Sequence, residues 1–402
     1  SLRLTVVTGP SCAVGCVPSA PPWPGPLAPG LPGTADALNR FQWNIVPQLG
    51  MLILLLVSSE LSWRDRDLDI SAIVAPTPVS NLALLGSKWL SLVMIIITLL
   101  GVSVVLAVAS QLLHSSPIDV RLYAMFFVHT VLPLVCVGTL CLAVNALSPG
   151  RITGIAITVA VLALALTPLG SKLGLEHPLL QFAQTPLQPW SDLTGFAGTT
   201  IGFGGFMIFW LAVSALLMTV ALGLFHRGLA GKRSLRRLAR QPAWIVAAAL
   251  TLVLAVVAGR HVEQQLRRSA YFLTSSERAA WKADYERTYG HFKDTPSPSV
   301  EHAAYDVAFY PVEQRLDVAG AYTLTNRNPA PLGEVLVSAH MDAGTRGLEL
   351  ESARLVEHDA AFGQYLFALE PAMQPGEHRV LRFETALEHT GYGAPRTHAL
   401  IV

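Results

Sequence analysis

The chain has 402 residues, of which 52% are hydrophobic and 14% charged, and its mean hydropathy is +0.46. This balance is unusual for a water-soluble globular protein and makes a soluble enzyme a poor starting hypothesis. The net charge of +1 excludes bulk attraction to nucleic acid or to an acidic surface, so only local clusters of charge are informative.

Residues 1–40 are rich in proline and show no hydrophobic periodicity. Proline removes backbone donors and breaks helices, so this stretch is predicted to be disordered. The chain starts at Ser1 rather than at a methionine and stops at Val402 within an apolar run. We therefore expect it to be a piece of a longer protein.

Six apolar stretches follow, and each approaches or exceeds the ~20 residues that span a hydrocarbon core of ~30 Å. They cover residues 41–59, 89–113, 123–147, 152–171, 201–225 and 243–259. The sequence thus predicts a polytopic, α-helical membrane domain of about six spans over residues 41–260. No acidic residue lies in the middle of a span, which argues against an ion-coupled transporter.

The basic residues of the short loops predict the orientation of these spans. Six Lys and Arg residues lie between 227 and 240, three between 60 and 88, and Arg151 lies in a tight turn, whereas the alternate loops offer only Arg121 and Lys172. By the positive-inside rule the first set is cytoplasmic, so residues 1–40 and everything after 260 are expected outside. A nucleic-acid patch at 227–240 is the alternative, but beside a span the topological interpretation is favoured, and no nucleic-acid partner is predicted.

Beyond residue 260 the pattern of apolar and polar residues changes to one typical of an exported, strand-rich domain. Trp281, Tyr285 and Tyr289 recur every fourth residue, so a short amphipathic helix and a linker are predicted over 261–298. Apolar residues then alternate with polar ones in short runs separated by Asn, Pro and Gly. The runs that predict strands are Tyr305, Val307 and Phe309; Leu316 and Val318; Tyr322 and Leu324; Val335 and Val337; Tyr365 and Phe367; and Leu381 and Phe383. An incomplete, all-β, sandwich-like extracytoplasmic domain is predicted over 299–402.

The loop after the first span carries charges in a recognisable order. It contains Glu60, Arg64, Asp65, Arg66 and Asp67, then a Pro-Thr-Pro run, and finally Gly86, Ser87 and Lys88 at the start of the next stretch. This pattern resembles the membrane domains of ABC transporters of the exporter-like permease class. The resemblance implies that Glu60, Arg64, Asp65, Arg66, Asp67 and Lys88 form a coupling loop, on a short helix along the membrane face, on which a separate ABC ATPase docks. The alternative is a solvated loop held by local ion pairs.

The outer domain carries a second resemblance, between about residues 280 and 402. The order of Tyr285, Tyr289, Tyr305, Tyr322 and the late Pro375-Gly376-Glu377 is similar to the β-rich N-terminal domain of zinc peptidases of the aminopeptidase N type. Such domains occur fused behind ABC permease spans in some bacterial proteins.

Two catalytic motifs are missing from the sequence. There is no His-Glu-x-x-His for zinc and no Gly-x-x-x-x-Gly-Lys-[Ser/Thr] for ATP phosphates. Enzymatic activity is therefore uncertain: no catalytic, cofactor or metal residue is predicted, and zinc is expected only in a missing C-terminal catalytic domain.

Together these patterns predict a multi-pass protein of the bacterial cytoplasmic (inner) membrane whose C-terminal domain lies outside the cytoplasm. The favoured function is an ABC permease subunit fused to the non-catalytic leading domain of an external zinc aminopeptidase. The expected partners are the lipid bilayer, a separate ATPase subunit and a second permease, in a homo- or heterodimer. The alternative is a membrane anchor that presents an exported β-domain for peptide processing or protein binding, without transport.

Overall fold

A computed structural model gives the architecture of the chain. The described residues are 2–8, 45–68, 79–113, 117–166, 169–170, 173–175, 177–187, 190, 195–196, 199–225, 242–269, 275–310, 313, 315–339, 344–388 and 392. The chain divides into two compact units. One comprises Pro29–Asp192 and Thr199–Leu266, and the other comprises Ser1–Ala28, Leu193–Gly198 and Arg267–Val402.

The first unit is built from helices. They are α1 (Ile45–Asp67), α2 (Asn81–Leu113), α3 (Val120–Leu147), α4 (Arg151–Leu166), α5 (Thr200–Leu224) and α6 (Pro242–Ser269), the last of which ends in the second unit. All except α4 are long and apolar enough to cross a membrane. The described residues thus contain five such helices where about six spans are predicted, and the predicted fourth stretch forms a shorter, 16-residue apolar helix.

Helix α3 is the centre of the bundle. It contacts α1, α2, α4 and α5. In its most apolar 18-residue segment 56% of the residues are buried, whereas 17–33% are buried in the corresponding segments of the other four long helices. Its buried side includes Phe126, Leu134 and Leu142. The outward sides of the other helices expose many Leu, Ile and Val side chains, as expected where lipid takes the place of a protein core.

A short 3-10 turn, Pro178–Leu180, follows α4 and brings polar groups onto the helices of the same unit. His177 Nε2 lies 2.8 Å from Glu263 Oε2 of α6. Trp210 of α5 donates from Nε1 to the carbonyl of Gln184 at 3.0 Å, and its ring packs on Phe182. These contacts fix the described part of the connection between α4 and α5.

The second unit holds two antiparallel sheets. Its strands are β1 (Leu2–Thr8), β2 (Ser299–Tyr310), β3 (Arg315–Thr325), β4 (Leu332–Ser338), β5 (Gly344–Leu350), β6 (Ala353–Asp359), β7 (Gln364–Met373) and β8 (His378–Glu388). One sheet has the order β1-β2-β3-β8-β5 and the other β4-β7-β6. The predicted strands correspond to β2, β3, β4, β7 and β8, whereas β1, β5 and β6 were not predicted.

Residues of both sheets form one hydrophobic core. Its buried members are Val318, Tyr322, Leu324, Leu332, Val335, Leu350, Phe367, Leu369, Met373, Leu381 and Phe383. Arg379 is a buried cation, with a side chain that is 3% exposed. Its guanidinium donates hydrogen bonds to the carbonyls of Ser352 and Pro371 at 2.9 and 2.6 Å and to the Glu377 carboxylate. Three acceptors satisfy this buried cation, as the cost of burying a charge requires.

Strand β1 corrects the prediction that residues 1–40 are disordered. Leu2–Thr8 pairs with β2 antiparallel, from Leu2 opposite Phe309 to Thr8 opposite Ala303. This segment precedes the prolines and is rich in Leu, Val and Thr, and the edge of β2 supplies the hydrogen-bond partners that sequence inspection cannot see. The rest of the proline-rich stretch lies outside the described residues.

The predicted amphipathic helix is α7 (Ser275–Tyr289), and its aromatic side packs against the turn between β6 and β7. The rings of Trp281, Tyr285 and Tyr289 surround Phe362 with centroid distances of 5.4, 5.8 and 5.8 Å. The Tyr289 hydroxyl donates to Asp359 at 2.9 Å. Burial and this carboxylate raise the pKa of Tyr289 to about 12.

Candidate functional site

The charged residues predicted as a coupling loop lie at the C-terminal end of α1. The structure does not place Glu60–Asp67 on a separate short helix along the membrane face, because α1 continues through them to Asp67. At 3.6 residues per turn, Glu60 and Asp67 lie almost two full turns apart on one side of this helix. The Pro-Thr-Pro run after it lies outside the described residues.

Arg151, the first residue of α4, bridges these two carboxylates. Its Nη2 lies 2.7 Å from Glu60 Oε2 and its Nη1 lies 3.2 Å from Asp67 Oδ2. All three side chains are about half exposed, at 45–55%. A planar guanidinium with donors on two nitrogens suits two acceptors at fixed separation better than a lysine would.

A second ion pair joins the same end of α1 to α2. Lys88 Nζ lies 2.7 Å from Asp65 Oδ2, and the Lys88 side chain is only 15% exposed. The partly buried ammonium therefore has a direct carboxylate partner. We call Glu60, Asp65, Asp67, Lys88 and Arg151 the α1-end charge cluster. It ties together the ends of three helices.

Arg64 differs from its neighbours in this segment. Its side chain is exposed, and no described residue forms an ion pair with it. The side chain of Arg66 lies outside the described part of the chain. Thus the three acidic residues are neutralised by internal partners, whereas Arg64 offers its charge to the solvent or to a partner.

A layer of small and polar residues lies below the cluster, where α1, α3 and α4 meet. Ser58, Ser59 and Asn145 are 0–1% exposed, and Asn145 Nδ2 donates to the carbonyl of Cys141 at 2.9 Å. Gly154 of α4 faces this layer so closely that an added Cβ would lie 2.5 Å from Asn145 Oδ1. Only glycine permits this approach of α4 to α3.

The strand unit offers one Thr, Glu and His cluster, whose geometry is structural rather than catalytic. Thr325 Oγ1 donates to Glu301 Oε2 at 2.6 Å and lies 2.8 Å from His378 Nδ1, and the same Nδ1 lies 3.2 Å from Glu301 Oε2. Hydroxyl and carboxylate thus meet a single ring nitrogen, so the imidazole cannot relay a proton between them as in a hydrolase triad. The Thr325 hydrogen bond lowers the pKa of Glu301.

Metal binding has no candidate in the described part of the chain. Among those residues no group of three or more His, Cys, Asp and Glu side chains could hold a metal ion. His340 and Asp342, whose side chains are of types that bind metals but which are predicted as a loop pair, lie outside the described residues.

The sequence predicts four of the five members of the α1-end charge cluster but does not predict Arg151 as a site residue. Glu60, Asp65, Asp67 and Lys88 come together as an ionic cluster, as the alternative of local ion pairs expects, and Arg64 stays exposed beside them. In the sequence, Arg151 indicates only the orientation of the spans. Its place beside a short turn on the same predicted side of the membrane was the signal that could have revealed it.

No family model, curated protein or solved structure matches the chain.

Proposed function

We propose that the chain is a membrane-spanning permease subunit of an ABC transporter system, fused to the non-catalytic leading domain of an external zinc aminopeptidase. The observation that carries the proposal is the α1-end charge cluster. It connects α1 to α2 through Asp65 and Lys88 and to α4 through Arg151, and it leaves Arg64 exposed. A segment that binds an ATPase and moves several helices needs these two properties.

The topology that we propose has six crossings, with the strand unit outside the cytoplasm of a bacterial inner membrane. Because β1 and β2 pair in one sheet, both lie on one side of a bilayer, so the chain between them crosses it an even number of times. Among the described residues, five helices have the length of a span, and we take the apolar helix α4 as the sixth crossing. Its 16 residues reach about 24 Å, which local thinning of a ~30 Å hydrocarbon core can accommodate.

The strand unit is proposed as a sandwich in which the two sheets face each other across the shared core. The resemblance to the leading domain of aminopeptidases gives this unit a binding or positioning role. The zinc of those peptidases is held outside the domain that the unit resembles, so no cofactor is assigned to the described residues.

Co-purification with an ATPase subunit tests the proposal. A tagged chain extracted in mild detergent from the membranes of a bacterium that makes it is expected to retain the ATPase. The double variant Arg64→Glu, Arg66→Glu is expected to lose the ATPase. An exposed arginine attracts an acidic surface on a partner, and glutamate at the same position repels it. Arg121→Glu, an exposed arginine at the start of α3, is the matched control. Undiminished retention by the double variant would refute docking at this site.

The alternative, an anchor for an exported domain, draws on one observation: the strand unit is compact and has a core of its own. Deleting the second to fifth spans separates the two functions. If the strand unit remained folded and kept its outer activity, the anchor would be favoured over the permease.

A further inference from the structure

We propose that Arg151 is a positioning residue that locks the start of α4 to the end of α1, so that the two helices move as one body. Glu60, Asp67 and Arg151 together form what we call the Arg151 clamp. The transmission of an ATPase's movement to α4 rests on the proposed function, whereas the clamp itself does not.

The position of Arg151 is the first argument. It is the first residue of α4, where the helix dipole disfavours a cation. Glu60 and Asp67 reverse this disadvantage, because they bring two carboxylates from α1 to the positive end of α4. A cation at this position is therefore accounted for by its partners in α1 and not by the local preference of its own helix.

The second argument is that the clamp has two acceptors on one rigid element. Two different nitrogens of the guanidinium reach carboxylates that lie two turns apart on α1, at 2.7 and 3.2 Å. One ion pair would allow α4 to swing about it, but two separate contacts fix its direction as well as its distance. A single exposed ion pair contributes little stability, so the argument depends on the network of one arginine with two carboxylates and not on either pair alone.

The third argument is the packing immediately beyond the clamp. Gly154, Thr158 and Leu162, which are spaced four residues apart, form the buried stripe of α4. Asn145 of α3 makes its close approach at Gly154, the first of them. Most of the remaining α4 surface is exposed. The cytoplasmic end of α4 is thus held from two sides, by ions on α1 and by close packing on α3.

A distance measurement between the two helices tests the clamp in the full chain. Nitroxide labels are placed at Leu68→Cys and Ile152→Cys, two exposed positions beside the clamp, after the four native cysteines are replaced by alanine. The parent protein is expected to give one narrow distance distribution. Arg151→Gln is expected to broaden it by at least about twofold, because α4 then samples several orientations. Arg121→Gln, the control, should leave it narrow.

Reversal of all three charges separates an ionic clamp from simple packing. In the triple variant Glu60→Arg, Asp67→Arg, Arg151→Glu the narrow distribution is expected to return. An unchanged distribution in Arg151→Gln would overturn the clamp, and so would a broadening that the reversed triple fails to narrow. ATPase retention is measured on the same samples and tests the docking proposal separately. If the parent protein does not retain the ATPase but still gives a narrow distance distribution, the docking proposal is refuted and the clamp is not.

Discussion

The substitution Gly320→Ala is predicted to destabilise the strand unit because it overfills the core. Gly320 of β3 lies directly opposite Phe383 of β8, whose ring covers the glycine. An added Cβ would lie 2.8 and 2.9 Å from Phe383 Cε2 and Cε1, whereas ordinary contacts start at 3.4 Å. Phe383 Cζ would lie closer still, so the ring would have to move by more than about 0.6 Å, which is the difference between 2.8 and 3.4 Å.

The surroundings of Phe383 decide the magnitude. Its ring is 3% exposed, and the rings of Tyr322 and Tyr305 lie 4.9 and 6.2 Å away between centroids. Overfilling such a core costs about 1–3 kcal/mol, and the reduced chain entropy of alanine returns up to about 1 kcal/mol. A net loss of about 1–2 kcal/mol is expected.

Hydrogen exchange of β3 and β8 peptides in the detergent-solubilised chain measures this loss as a lower free energy of opening. The matched control is Gly347→Ala in β5, where an added Cβ meets nothing within 4 Å. It should leave the free energy unchanged or raise it. Equal exchange in the two variants, or greater protection in Gly320→Ala, would refute the packing argument.

Three further outcomes are expected. Phe362→Ala should speed hydrogen exchange across α7, because the three rings of that helix lose their common partner. Gly154→Ala should lower the free energy of unfolding of the helical unit by about 1–3 kcal/mol and so lower its melting temperature. Gly101→Ala, where an added Cβ would meet open space, should leave the melting temperature unchanged. The Gln374 backbone N–H and Arg379 lower the pKa of Glu377, so the strand unit should lose stability as the pH falls below 4.5, and Glu377→Gln should flatten that loss.

Each of these expectations has an opposing result. Unchanged exchange of α7 in Phe362→Ala would assign its docking to the Tyr289–Asp359 hydrogen bond instead. Equal melting of the two glycine variants would refute the close approach of α4 to α3. Glu377 keeps its stabilising ionised form above the unfolded pKa and loses it as the pH falls through the lowered folded value, so a parent protein insensitive to acid would contradict its role.

In the strand unit, the local residue pattern predicts some strands and fails to predict others. β2, β3, β4, β7 and β8 were predicted because apolar and polar residues alternate in them. β6 was not, because five consecutive residues of Ala353–Asp359 are exposed and its stability comes from pairing with β7. β1 was missed for the same reason: its partner, β2, lies about 290 residues further along the chain.

The sequence by itself determined the five long apolar helices, because runs of about 20 apolar residues have the length and composition of a membrane span. It also determined which charged residues lie at the end of α1, because their residue types are read directly. Only the tertiary structure decided which charges meet. Arg151 lies 91 residues after Glu60 and 84 residues after Asp67. An ion pair depends on the distance between atoms and not on the spacing in the sequence. The packing of α1, α3 and α4 through Gly154 sets that distance, so the Arg151 clamp became visible only in three dimensions.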